Sequence, residues 1–200
     1  MAWDALPHLG NLTLTLPLGG AIAAWLLAAR EWRAALVWVL AMSAALAVVG
    51  ASKVAFLGWG TGIPALGFKA FSGHAAGVAT VYPVLLYLAL RCLHPVAAWL
   101  GAGLGVVLGA IVAFALVATA EHTVAEAATG WTIGCVASGT TIRHARTTRL
   151  PPASLGLASS LFAFATASWA MQEAHVGYWM IKVALALSGN TRPFQWDSCS

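Results

Sequence analysis

The sequence predicts an all-α integral membrane protein, a helical bundle of about six transmembrane helices. Three observations carry that reading. Charged residues make up 8% of the 200 residues, against about 25% in a soluble globular chain, which leaves too little polar surface to clothe a water-soluble domain. Hydrophobic residues reach 60% and mean hydropathy is +0.84. Uncharged runs of about 16 to 26 residues recur, a length that crosses a ~30 Å hydrocarbon core.

The spans follow in order. Apolar stretches bounded by charge, Pro or Gly give Leu12–Ala29, Ala34–Trp59, Ala75–Leu90, Pro95–Ala120, Thr123–Ile142 and Pro151–Gln172. The third and fifth are short, and each begins beside a polar cluster, Ser72-Gly73-His74 and Glu121-His122. Their first turns therefore belong at a membrane surface or in a cavity. Gly101, Gly103, Gly105 and Gly109 predict close helix packing in the fourth span. The segment Val176–Ser188 is apolar but short and contains Lys182, so it is expected to lie along the interface. Residues 1–200 thus read as one membrane-embedded domain, with a motif-bearing core at 51–134 and an interfacial or exposed tail at 173–200. Residues 1–10 contain no Lys or Arg, so the first span reads as permanent rather than as a cleaved signal.

Charge gives the chain an orientation. Arg30, Arg33, Arg91, Arg143, Arg146 and Arg149 fall on one side of the alternating connections, and Lys53, Lys69 and Glu121 on the other. By the positive-inside rule the arginine side faces the cytoplasm. The 59–74 connection and the 118–123 turn then face outward, into the periplasm if the bilayer is a bacterial inner membrane. A net charge of +4, held in short clusters between apolar runs, gives no nucleic-acid footprint. Cys92, Cys135 and Cys199 are scattered and form no disulfide or zinc pattern.

Ionisable groups in or beside membrane helices are costly and mark candidate functional sites. Here they gather on the outward side: Lys53 near the end of the second span, Lys69 and His74 around the start of the third, and Glu121, His122 and Glu126 around the start of the fifth. His122 and Glu126, four residues apart, share a helix face. A carboxylate there accepts the proton of one imidazole nitrogen and leaves the other as a free lone pair. The Ser72-Gly73 step before a helix allows close backbone approach to an anion, with free N–H groups pointing at it. Taken singly, each feature is also an ordinary cap, interfacial histidine or chance pair; their shared side favours function.

Together these residues resemble the type 2 phosphatidic acid phosphatase superfamily, which shares its active site with vanadium haloperoxidases. That family carries K-x6-R-P, P-S-G-H and S-R-x5-H-x3-D in this order. Lys53 matches the first lysine, Phe71-Ser72-Gly73-His74 matches the second motif apart from its proline, and His122 with Glu126 matches H-x3-D with Glu replacing Asp. Gly130 fits the small residue four places beyond the acid. The family's Arg-Pro positions hold Gly60 and Thr61, and its Ser-Arg positions hold Ala115 and Leu116, so both phosphate-clamping arginines are missing.

The resemblance implies a membrane lipid phosphatase or diphosphatase whose partners are the bilayer and a lipid phosphate substrate, with no cofactor and no metal required. In the implied scheme His122 attacks phosphorus to form a phosphohistidine, Glu126 holds its ring, and His74 protonates the departing lipid oxygen. Lys53, the Ser72 hydroxyl, the Gly73 N–H and Lys69 stabilise the phosphate. Loss of both arginines supports an alternative, a degenerate relative that binds lipid phosphates or acts as a scaffold without hydrolysis. A haem held by His74 and His122 is a third reading, which accounts for neither Lys53 nor the Ser-Gly step.

Overall fold

A computed structural model of the protein describes residues 5–148, 153–172 and 174–196. Arg149, the Pro151 start of the sixth expected span and Cys199 lie outside the described residues. After a 3-10 turn at Leu6–Gly10, the chain forms α1 (Leu12–Ala28), α2 (Trp32–Trp59), α3 (Gly73–Arg91), α4 (Pro95–Ala118), α5 (Val124–Ala145), α6 (Ala153–Met171) and α7 (Val176–Ser188). No β-strand occurs among the described residues, apart from an isolated bridge between Ile63 and Phe68. The all-α bundle expected from the composition is therefore the observed architecture.

Local chemistry explains the helix ends. Ser72 caps α3 by accepting from the Ala75 N–H at 3.4 Å. Thr123 and Glu126 form a reciprocal capping box at the start of α5, an arrangement that satisfies two orphan donors. His94 Nδ1 accepts from Val96 N–H at 3.1 Å ahead of Pro95. Gly60 ends α2 in the left-handed region at φ 67°, where its N–H donates to Phe56 O at 2.8 Å.

The six expected spans correspond to α1 through α6, with ends that coincide at Leu12, Trp59 and Pro95 and differ elsewhere by one to three residues. Four of these, α2, α3, α4 and α6, are long and apolar enough to cross a membrane. This is a membrane-embedded helical bundle. α1 is shorter, at 17 residues. α5, at 22 residues, is long enough at roughly 33 Å but is diluted by threonine, serine and glycine. On α4, Val96, Leu100, Leu104, Val107, Ile111 and Phe114 are all exposed. Their three- and four-residue spacing makes an outward apolar stripe suited to lipid.

α3 forms the centre. Its residues from Ala75 through Val81 are all buried, enclosed by α4, α5 and α1. A Cβ on Gly105 would lie 2.4 Å from Pro83 N, and one on Gly101 would lie 2.6 Å from Leu86 O, so α4 meets α3 backbone to backbone. Gly109 packs on Trp131 and Ala79, whereas Gly103 faces open space and takes no part in the packing expected of it.

The basic ends meet on one side. The Arg91 guanidinium donates to Ala145 O, to Arg146 O at 2.7 Å and to Thr148 O at 2.8 Å, closing the C-terminus of α5. Arg146 sits over the Trp99 ring at 4.6 Å. The tail lies at the other end, with Ala184 the one residue of α7 that is buried. α7 packs on α2, and the chain then turns back: Asn190 Nδ2 donates to Gly58 O at 2.7 Å and Phe194 N–H to Leu57 O at 2.8 Å. The Phe194 and Trp196 rings meet Phe56 edge-on at 5.7 and 5.6 Å. These aromatic contacts hold residues 190–196 against the end of α2 beside the polar cluster.

Candidate functional site

The polar cluster is assembled by the loop that runs from α2 to α3, which is tied down from both sides. Ser52 Oγ on α2 accepts from Phe71 N–H at 3.1 Å. The Glu126 carboxylate on α5 accepts from Lys69 N–H at 2.7 Å and from Ala70 N–H at 3.4 Å through Oε1. The Glu126 carbonyl accepts from Ser72 N–H at 3.1 Å. Two helices, α2 and α5, are thereby stitched to the segment that leads into α3, which sets the start of α3 against the start of α5. Gly130 permits this, because a Cβ there would lie 2.4 Å from Ser72 O.

Through Oε2, Glu126 also holds His122 Nδ1 at 2.9 Å and Thr123 N–H at 3.1 Å. This buried carboxylate, 5% exposed, accordingly meets four donors. Such saturation keeps a buried charge tolerable. With Nδ1 donating to the carboxylate, His122 presents Nε2 as its free atom. Its side chain is 18% exposed, so that atom can be reached from outside.

His74 is held differently. Its Nε2 lies 2.8 Å from Asn11 Oδ1, and Asn11 Nδ2 lies 3.3 Å from His8 Nδ1. The self-consistent assignment has His74 Nε2–H donating to the amide oxygen and the amide donating to His8, which leaves His74 Nδ1 as its free nitrogen. Asn11 and His8 have no counterpart among the residues predicted from sequence. The signal available was a polar Asn at the start of an apolar span, indistinguishable locally from a helix cap.

The two imidazole rings lie 6.5 Å apart, centroid to centroid, tilted by 55°. Each borders a different cavity. One of about 220 Å³ is lined by His122, Glu126, Glu121, Lys69 and Lys53 with Phe56. The other, about 480 Å³, is lined by His74, Gly73, Lys53 and Thr15 together with apolar side chains of α1, α2 and α7. Lys53 borders both, and its Nζ lies 3.6 Å from where a Cβ on Gly73 would stand. The Lys69 ammonium sits 5.5 Å above the Trp196 ring, so the returning tail holds that cation at the edge of the smaller cavity.

Of the residues singled out in the sequence, Lys53, Lys69, Gly73, His74, His122 and Glu126 therefore converge on adjoining cavities. Ser72 is fully buried, its hydroxyl accepts from the Ala75 N–H in capping α3, and it lines neither cavity. Ala115 and Leu116 are also fully buried, Leu116 in an apolar cluster with Ala75 and Ala127, and neither lines the two cavities. Among the described residues no group of three His, Cys, Asp or Glu side chains is placed to hold a metal ion.

The chain is similar to an uncharacterized 22.5 kDa protein in the cps region of Klebsiella pneumoniae, at 34% identity over 140 residues. That match covers 69% of this chain and 66% of the relative, just under two thirds of the relative's length. No family model matches the chain, and no solved structure matches it.

Proposed function

We propose that the protein is a membrane-embedded lipid phosphatase or diphosphatase that works through a phosphohistidine on His122. One observation carries this reading: two histidines from separate helix starts, with ring centroids 6.5 Å apart, face two cavities that share a single lysine. The reading needs a phosphoryl group to meet the nucleophile on one side at about 3–3.5 Å and a proton donor on the other at hydrogen-bond distance of about 2.6–3.2 Å.

In the proposed sequence, His122 Nε2 attacks phosphorus in line while the bond from phosphorus to the lipid oxygen breaks. Protonated His74 donates from Nδ1 to that oxygen, releasing the lipid alcohol or, from a diphosphate, the lipid monophosphate. Water then attacks the phosphohistidine, giving its proton to His74, and inorganic phosphate leaves. Glu126 orients His122 and stabilises positive charge on its ring during transfer. Lys53, Lys69 and the Gly73 N–H supply the potential for the equatorial oxygens, where most of the catalysis of phosphoryl transfer resides. Ser72 acts as the cap that sets Gly73 in place.

The motif resemblance supports the same reading, as does the positive-inside bias, which puts the cluster on the outward face. The relative's bacterial source suits a bacterial inner membrane with the site on the periplasmic side. A lysine gives phosphate a point charge rather than a bidentate fork. With both family arginines replaced, a lipid-phosphate-binding protein without turnover is the second reading. Phosphate release from a panel of lipid phosphates in detergent separates the two: the phosphatase reading expects release by wild type that His122→Ala abolishes. Equal rates, or tight binding of vanadate with no release by wild type, would contradict it.

A further inference from the structure

We infer that the larger cavity is a hydrocarbon site that takes one chain of the lipid phosphate, with the phosphate at Lys53 and the chain running down α2. The inference rests on the phosphatase reading for its headgroup and extends it to the tail. The cavity, about 480 Å³, falls in the size range of built ligand sites. Lys53 and His74 line it together with Gly73, and Lys53 joins it to the His122 cavity. Thr15 adds a hydroxyl that is already bonded to Asn11 O at 3.1 Å, and the other side chains of the lining, Leu12, Leu16, Leu46, Val49, Val176 and Met180, are apolar. A ligand that is charged at one end and apolar for the rest of its length fits this polarity.

The depth stays within a single leaflet. Lys53, Val49 and Leu46 lie on one stripe of α2 and line the cavity, and Lys53 to Leu46 spans about 10 Å along a helix, less than half of a ~30 Å hydrocarbon core. Gly50 is an independent sign of reserved space. It lines the cavity, and a Cβ built on it meets nothing within 4 Å. Glycine weakens a helix interior and is ordinarily retained in membrane spans for close helix packing, yet at this position no neighbour approaches. The missing side chain leaves room for a ligand rather than for a helix.

The test is photolabelling in nanodiscs with dodecyl phosphate carrying a diazirine near its methyl end, mapped by peptide mass spectrometry. Label is expected on α2 around Leu46 and Val49 and on α7 at Met180, displaced by unlabelled dodecyl phosphate and not by dodecanol. Gly50→Phe should cut this label by about tenfold or more, as should Met180→Trp if the first variant does not fold; Gly50→Ala and His122→Ala should keep it. Label spread evenly over the lipid-facing α4 and α6, displacement by dodecanol, or full labelling of folded Gly50→Phe or Met180→Trp would overturn the inference. Labelling needs no turnover, so its success without phosphate release would defeat the phosphatase reading alone. Phosphate release with label elsewhere would defeat the tail site alone.

Discussion

His122 Nδ1 and Glu126 Oε2 stand 2.9 Å apart across the start of α5, with His122 just ahead of the Thr123 cap, and the second oxygen of the same carboxylate holds the loop that leads into α3. Glu126 thus fixes a histidine ring and the position of the opposing helix with one side chain. One buried group thereby contributes to the placement of both histidines.

Replacing that group separates its roles. Glu126→Gln has only one acceptor oxygen for four N–H donors, so at least one side of the contact must face N–H to N–H. Hydrogen bonds to charged groups contribute about 1.5–3 kcal/mol each, and a wrongly held imidazole costs about 10²–10⁴-fold in rate. Phosphate release should fall by that factor, with a lower melting temperature in detergent. Glu126→Asp, which keeps both oxygens, should lose less of each.

Asn11 is expected to act as a positioning residue for His74. In histidine-labelled protein, ¹⁵N spectra should show His74 carrying its proton on Nε2, and Asn11→Leu should convert this to a mixture of tautomers. The same variant should lower kcat by about 10–10²-fold with little change in KM. An unchanged tautomer would remove Asn11 from the site.

Lys53 borders both cavities, so its charge should act on binding. Lys53→Met keeps the apolar stem and should raise both the KM for lipid phosphate and the inhibition constant of orthovanadate by about tenfold or more. Parallel assays of hydrolysis and of vanadate inhibition check this, and a change in one constant alone would mean that Lys53 does not contact the phosphate.

Gly130 carries the contact between α5 and the start of α3. A Cβ 2.4 Å from Ser72 O faces a backbone atom that cannot yield, so Gly130→Ala should destabilise by about 1–3 kcal/mol. Gly139→Ala, on the same helix with nothing within 4 Å, is the control and should be neutral or slightly stabilising. Thermal melts of the two variants in one detergent decide the point.

The fold was largely legible because a bilayer imposes its length on every span: runs such as Pro95–Ala120 need only be long and uncharged to be recognised. Helix starts were legible where chemistry is local, as at Ser72 and at Thr123 with Glu126. The partners that arrive from distant segments were not. Nothing in the neighbourhood of Asn11 points to His74, and nothing near Phe194 or Trp196 points to Phe56, because those contacts depend on how α1 and α7 pack. The Ser72 cap was legible as a local feature, whereas its complete burial depends on how α3 and α5 meet. The charge of Glu126 was legible and its hold on Lys69 and Ala70 was not.

The central claim is that His122 carries the phosphoryl group. Rapid acid-free quenching of the protein with ³²P-labelled lipid phosphate, followed by peptide mapping, tests it most directly. The account predicts an acid-labile, base-stable phosphate on the peptide that contains His122, formed at the rate of lipid release and absent in His122→Ala. Phosphate release without that species, or label on another residue, would contradict it.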